Sequence, residues 1–136
     1  MPVTTLETEL QRFLVSHPSL RPLVGARVYP AELPKGTALP ALTFQRISML
    51  ARVGSAVLTG RPHVLGTRVQ LDCWARNYEG LLAVGEQVVS LLEGYQGPMG
   101  RATVQLGNPE NISDVSREET GLWRRTIDLI FWYERL

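Results

Sequence analysis

The chain has 136 residues, which is enough for one hydrophobic core and predicts a single domain over residues 1–136. Its composition, 44% hydrophobic and 20% charged, is typical of a globular domain rather than a disordered chain. A net charge of +1 argues against a generic basic nucleic-acid binder. With two histidines and one cysteine, the chain cannot build an internal disulfide framework or a four-ligand Cys/His zinc cage.

The first half of the chain predicts one helix and two strands. Thr4 and Glu7 have the spacing of a capping box, and the apolar residues after them recur at helical intervals up to residues 17–18, where His-Pro ends the helix. Before it there is no apolar run typical of a signal peptide. Residues 27–29 and 42–49 are rich in good strand formers and predict two strands.

The second half predicts a strand, a helix and two further strands. Residues 67–75 alternate in polarity and contain Cys73, which we interpret as a buried small hydrophobic residue. Residues 77–94 predict a second amphipathic helix of about 16 residues, capped by asparagine and ended by glycine. Residues 102–106 and 122–133 predict strands, and the polar, acidic segment between them is expected to be a connection.

This order of elements predicts an α+β domain. We expect a mostly antiparallel sheet of about four to five strands with the two amphipathic helices on one face. The last strand has apolar residues on both faces, so it is either central and covered on both sides or packed against another subunit. Residues 50–66, hereafter the arm, are punctuated by glycine and proline and predict a long hairpin arm or loop rather than core.

No segment of the chain has the motif of a nucleotide-binding loop, a zinc protease or a serine hydrolase. His17 is expected to be a solvated helix-end residue, and His63 a surface or interface residue. The acidic residues between 110 and 119 do not have the spacing of a calcium loop, and solvated acids are the simpler interpretation. We therefore expect no enzymatic activity, no cofactor and no bound metal, and no apolar run is long enough for a membrane span.

Charge is distributed unevenly along the chain. Residues 33–71 contain five bases and no acid, whereas residues 72–136 contain ten acids and six bases. One interpretation is that these charges pair within the chain or face solvent. The other is that the basic arm of one copy docks on the acidic surface of the next, in a head-to-tail contact that can close into a ring.

Four blocks of sequence, in this order, resemble a known family. They are residues 23–30 (LVGARVYP), 39–48 (LPALTFQRIS), 69–75 (VQLDCWA) and 121–129 (GLWRRTIDL). Together they resemble the tail-completion, or tail-terminator, family of long-tailed bacteriophages and phage-like gene transfer particles. The resemblance covers nearly the whole chain and brings no catalytic residues with it.

The resemblance implies a virion protein that is assembled in the host cytoplasm as a ring, a hexamer by analogy with the family. Such a ring would cap the head-proximal end of the tail tube, stop tube polymerisation and join the tail to the head–neck connector. Its expected partners are other copies of itself, the tail-tube protein and the connector or stopper protein, and DNA would pass through its lumen without specific binding. The alternatives are a connector-side adaptor or stopper of the neck and a small binding module unrelated to virions.

We predict that contacts between subunits or with the tube use the arm and the acidic segment that follows the second helix. In the arm and directly after it, arginines would form the polar contacts and aliphatic residues the apolar ones. The predicted interface residues are Arg52, Val57, Leu58, Arg61, His63, Val64, Leu65, Arg68, Glu110, Asp114, Glu118 and Glu119.

Overall fold

The computed structural model describes residues 5–51, 64–117 and 121–134. In these ranges a curled, mixed sheet packs around helices. The elements, in chain order, are α1 (Leu6–Ser16), α2 (Arg21–Val24), β1 (Val28–Pro30), β2 (Ala41–Ala51), β3 (Val64–Ala75), α3 (Tyr78–Leu92), β4 (Tyr95–Met99), β5 (Ala102–Arg117) and β6 (Leu122–Glu134).

The described strands form one sheet of six strands in the order β1-β2-β3-β6-β5-β4. The β1–β2 pair is parallel and the other pairs are antiparallel, so the predicted α+β class and mostly antiparallel sheet are confirmed. The expected number of four to five strands was too low. The strand that sequence analysis missed is β4, a short segment with glycine and proline, residue types that are depleted in strands.

The core lies on the concave face of the sheet. Buried leucines of α1 and buried aliphatic residues of α3 form one cluster with alternate residues of the central strands. Helix α1 contacts β1 and β2 at one side of the sheet and β4 at the other. The ring of Phe13 in α1 lies 5.1 Å from that of Tyr95 in β4. The sheet therefore curls around the helices, and its convex face has no helix of the described chain packed on it.

Glu9 joins α1 to the turn between β4 and β5. Its side chain is buried, and Oε2 accepts a hydrogen bond from the backbone N–H of Arg101 at 3.2 Å. A Cβ placed on Gly100 would lie 1.7 Å from the same oxygen, so only glycine fits beside this carboxylate. The contact closes the curl between residues more than ninety positions apart in the chain.

Helix α1 begins one residue later than the Thr4–Glu7 capping box predicts. The hydroxyl of Thr5 accepts a hydrogen bond from the backbone N–H of Thr8 at 3.3 Å, and Oγ1 of Thr8 accepts one from the N–H of Thr5 at 3.0 Å. The carboxylate of Glu7 instead pairs with Arg46 of β2 at 3.0 Å. The sequence motif was therefore wrong at this cap, because Glu7 is used by a distant strand.

Helix α3 has the predicted ends. The Asn77 side chain accepts a hydrogen bond from the N–H of Gly80 at 2.7 Å, which satisfies one of the free donors of the first turn. Gly94 follows the helix with a φ of +66°, a left-handed conformation that glycine adopts without strain.

Residues 108–121, expected to be a polar connection, mostly belong to a strand. Strand β5 extends to Arg117 and pairs with β6 along this whole length. The prediction failed because most side chains on this half of β5 are exposed and polar, so the segment lacks the apolar alternation that indicates a strand. Pro109 lies at a bulge, the position at which a strand tolerates proline.

The described ends of the arm are also strand. Ala51 of β2 is paired with Leu65 of β3, so the two strands continue into the arm as an antiparallel pair. This agrees with a hairpin, while residues 52–63 lie outside the described residues. Strand β6 is central, between β3 and β5, and only its concave side is covered by helices of the described chain.

Candidate assembly interface

The predicted arm residues Arg52, Val57, Leu58, Arg61 and His63 lie outside the described residues. So do Glu118 and Glu119 of the acidic segment. Their assignment to an interface therefore stays a prediction.

Three predicted interface residues lie near the start of β3. Val64 and Leu65 are half-buried, and Leu65 packs against the core cluster. Arg68 is half-buried on the convex face, where its partner in register on β6 is Ile130. It forms no ion pair with any residue in the described ranges. Of the three, Arg68 is the side chain that remains available for a polar contact.

Glu110 and Asp114 lie on the outer half of β5 but have different surroundings. Glu110 is exposed at the bulge. The carboxylate of Asp114 accepts two hydrogen bonds from Arg125 of β6, from Nε at 2.8 Å and from Nη2 at 3.1 Å. Asp114 is thus engaged within its own chain, and its predicted contact with a neighbour stays a prediction.

Arg125 is the centre of a polar network that sequence analysis did not find. Its side chain is 7% exposed, and Nη1 donates a third hydrogen bond to Glu86 of α3 at 3.1 Å. The hydrogen bond that Arg125 donates to Asp114 raises the pKa of the guanidinium, burial lowers it, and the hydrogen bond donated to Glu86 raises it further. The network ties the outer half of β5 to β6 and to α3.

Gly85 makes room for this buried arginine. A Cβ at Gly85 would lie 2.7 Å from Nη1 of Arg125, so the guanidinium lies directly on the helix backbone. A glycine in the middle of a predicted helix next to a glutamate was the available signal. The sequence could not show which side chain contacts Gly85, because Arg125 lies 40 residues further along the chain.

The convex face carries a row of polar and aromatic side chains. The indole N–H of Trp74 donates a hydrogen bond to Thr43 at 3.0 Å, and the guanidinium of Arg124 lies 5.4 Å from the Trp74 ring centre. Near the other end of the face, the ring of Trp132 lies on the backbone of Gly66, where a Cβ would come within 2.7 Å of it. This contact explains the glycine, which sequence analysis interpreted as loop punctuation.

Two stretches of strand have a free outer edge in the described structure. Strand β1 covers β2 only at Leu42–Phe44, which leaves residues 45–51 without a neighbour on that side. Strand β4 covers β5 only up to Gly107, which leaves residues 108–117. We call these the β2 free edge (residues 45–51) and the β5 free edge (residues 108–117). Unpaired N–H and C=O groups of this kind are the usual route by which strands of separate chains pair.

Most of the exposed apolar side chains lie on these two edges. Among the described residues six large hydrophobic side chains are exposed, and four of them belong to the free edges. These four, each 42–47% exposed, are Ile47, Met49, Ile112 and Val115. By register Ile112 lies opposite the buried Ile127 and Val115 opposite Arg124, so these two side chains are on opposite faces of the sheet.

The described residues do not assemble reactive chemistry. Burial raises the pKa of the Cys73 thiol to about 12, so this cysteine is a poor nucleophile. The Nδ1 atom of His17 accepts a hydrogen bond from the backbone N–H of Ser19 at 3.2 Å, beside the end of α1. Within the described ranges no three His, Cys, Asp or Glu residues are grouped as a metal site. No helix in those ranges has the length and apolar character that crossing a bilayer requires.

The described ranges thus combine a curled sheet, two strand edges without a neighbouring strand and a buried ion-pair network around Arg125. The sequence profile of the family "Tail completion protein gp17" matches residues 8–134. The chain therefore belongs to this tail-completion family of structural virion proteins, and the predicted resemblance is confirmed.

A solved structure has a similar fold. A chain from "Virion of native gene transfer agent (GTA) particle" matches 98% of this chain and 100% of its own length, with a TM-score of 0.73 and 16% identity. At that identity the similarity shows a shared fold. No curated protein matches the chain.

Proposed function

We propose that this chain is the subunit of a ring, a hexamer, that caps the head-proximal end of a phage-type tail tube. The ring stops tube polymerisation and joins the tail to the head–neck connector, so the protein resides in the virion. The observation that carries this proposal is the family match over residues 8–134. The two free edges support it, since a subunit that binds neighbours on both sides needs two different surfaces.

In this proposal DNA passes through the lumen without specific binding. If the convex face lines the lumen, its described charges would not hold phosphates tightly, because Arg68 and Arg124 are balanced there by Asp72 and Asp128. A surface with balanced charges lacks the dense positive stripe by which proteins hold a nucleic-acid backbone.

The direct test is to add the purified chain to tail-tube protein that is polymerising. We expect six-fold rings at one end of each tube, tubes of arrested length, and joining to connector-bearing heads in electron micrographs. Rings or monomers that bind connector complexes and leave tube growth unchanged would instead identify a connector-side adaptor. A monomer that binds neither structure would contradict both functions.

The arm is proposed to contact the adjacent copy or the tube. Deleting residues 53–64 should leave a folded chain, by circular dichroism, that fails to close tails or join heads. Joined, infectious particles from the deletion variant would overturn this role of the arm.

The arginines of the arm are proposed to supply polar contacts. Changing Arg52 and Arg61 to glutamate should weaken ring formation, because each change reverses a charge that would face the acidic surface of a neighbour. The control is Arg21→Glu in α2, which reverses an exposed charge outside the arm. An unchanged oligomer distribution in the double variant at physiological salt would contradict the proposal.

A further inference from the structure

The two free edges occupy opposite corners of the sheet. Ser48 of the β2 free edge is in register, through Arg68 of β3, with Ile130 of β6. Ser113 of the β5 free edge is in register with Thr126 of β6. The middles of the two edges are therefore displaced by four residues along the strands, or about 14 Å.

The short strands β1 and β4 explain this arrangement. Strand β1 covers the part of β2 that adjoins Leu42, and β4 covers the part of β5 that adjoins Val104. Each cover strand leaves the opposite half of its neighbour open. At each side of the described sheet, the outermost strand is therefore short and leaves part of its neighbour unpaired, and the two unpaired parts lie at opposite ends of the sheet.

Both free edges carry exposed apolar side chains. Each free edge has two of the exposed large hydrophobic side chains, Ile47 and Met49 on one and Ile112 and Val115 on the other. The β2 free edge contains one charged side chain, Arg46, which is paired with Glu7 of its own chain. The β5 free edge contains Glu110, Asp114 and Arg117, and Asp114 is paired with Arg125 of its own chain.

We propose that the β5 free edge of one copy pairs, antiparallel, with the β2 free edge of the next copy, so that the sheet continues from subunit to subunit. This inference rests on the proposed function, because it names the contact by which the ring closes. The direction follows from the sheet, in which β2 and β6 run one way and β3 and β5 the other. Continuing the alternation places β5 of one copy antiparallel to β2 of its neighbour.

The displacement of the two edges has a consequence for the ring. A stagger of about 14 Å per subunit would build an open spiral if the strands ran parallel to the ring axis. The ring closes when the strands are inclined to that axis, which is the relation between tilt and stagger in closed barrels.

Pairing of two identical β5 edges is the main competing contact. It would produce an isolated two-fold dimer and leave the β2 free edge uncovered.

Cross-linking of the full-length chain separates these contacts. In Ser48→Cys/Ser113→Cys, oxidation or a short bismaleimide should produce a covalent ladder up to the subunit number of the ring, while each single variant stays monomeric in a denaturing gel. The native Cys73 is buried and does not interfere. The matched control is Ser48→Cys/Thr103→Cys, because Thr103 is exposed on the half of β5 that β4 already covers.

Two results would overturn the inference. Efficient dimers from Ser113→Cys alone would show that β5 pairs with β5. An equal ladder from the Thr103 control would show random collision rather than a defined edge.

Charged substitutions give an independent test in solution. Ile112→Lys or Met49→Lys should raise the subunit concentration needed for half-assembly by roughly tenfold, equal to about 1.4 kcal/mol. Leu106→Lys is the matched control, because Leu106 is 40% exposed on β5 but lies where β4 covers the edge. Equal effects of all three changes would contradict edge pairing.

The outcome also separates this inference from the proposed function. If the wild-type chain forms rings that cap tubes but none of the edge variants affects them, edge pairing is wrong and the capping function stands. If the wild-type chain neither forms rings nor binds tubes, the proposed function itself fails.

Discussion

Removing Asp114 should cost more stability than removing Arg125, although both changes break the same ion pair. The Arg125 side chain is 7% exposed, whereas those of Asp114 and Glu86 are 27% and 69% exposed. Asp114→Ala leaves a buried guanidinium with one solvated partner, and we expect a loss of about 3 kcal/mol. Arg125→Met removes the buried charge, fills most of the volume of the arginine side chain and leaves two carboxylates that regain water. We therefore expect a loss of about 1 kcal/mol in the free energy of unfolding.

The assay is urea unfolding, followed by tryptophan fluorescence and circular dichroism at concentrations at which the chain is monomeric. Glu86→Gln is the control and should cost less than about 1 kcal/mol, because Arg125 keeps both hydrogen bonds that it donates to Asp114. The double variant Asp114→Ala/Arg125→Met should be no less stable than Asp114→Ala alone, since it leaves no buried cation without its partner. A larger loss from Arg125→Met than from Asp114→Ala would refute the reasoning.

Three further predictions concern two closely packed glycines and the buried cysteine. Gly66→Ala should lower the free energy of unfolding by about 1–3 kcal/mol, because its Cβ meets the tryptophan ring that covers it at 2.7 Å; an unchanged urea midpoint would contradict this packing. Gly100→Ala should lower the thermal midpoint more than Gly94→Ala, because both glycines have positive φ but only Gly100 faces Glu9; equal shifts would show that the carboxylate yields freely. The Cys73 thiol should resist Ellman's reagent at pH 8 until denaturant is added. Its pKa is raised from 9.0 to about 12, so its stabilising contribution is present below pH 9 and lost as pH rises towards 12, and Cys73→Ala should flatten that loss.

The parts of the fold that follow from the sequence are those specified by local signals. Helix α3 has an asparagine cap, an apolar stripe and a terminal glycine within one short stretch, and it forms as predicted. Strand β3 alternates in polarity because one face lies on the core. In both elements the residues that decide the structure are close neighbours in the chain.

The parts that were missed depend on distant partners. The cap of α1 shifted to Thr5 because Glu7 pairs with a residue 39 positions away. The outer half of β5 has few apolar residues, since it is held by β6 and by the Arg125 network rather than by burial of its own side chains. Gly85 was visible in the sequence, yet its function depends on an arginine in another element.

The same network connects stability to assembly. A strand edge can pair with a neighbour only if its backbone is held straight before the neighbour arrives, because ordering it during binding costs free energy. On the outer half of β5, bonds from Arg125 to Asp114 and Glu86 replace the second strand neighbour that an edge lacks. The buried arginine therefore need not be explained by stability alone, since a buried ion pair is often no better than an apolar contact in that respect. What it supplies here is a defined position for a solvated, largely polar strand, and that position is what the proposed edge-to-edge contact requires.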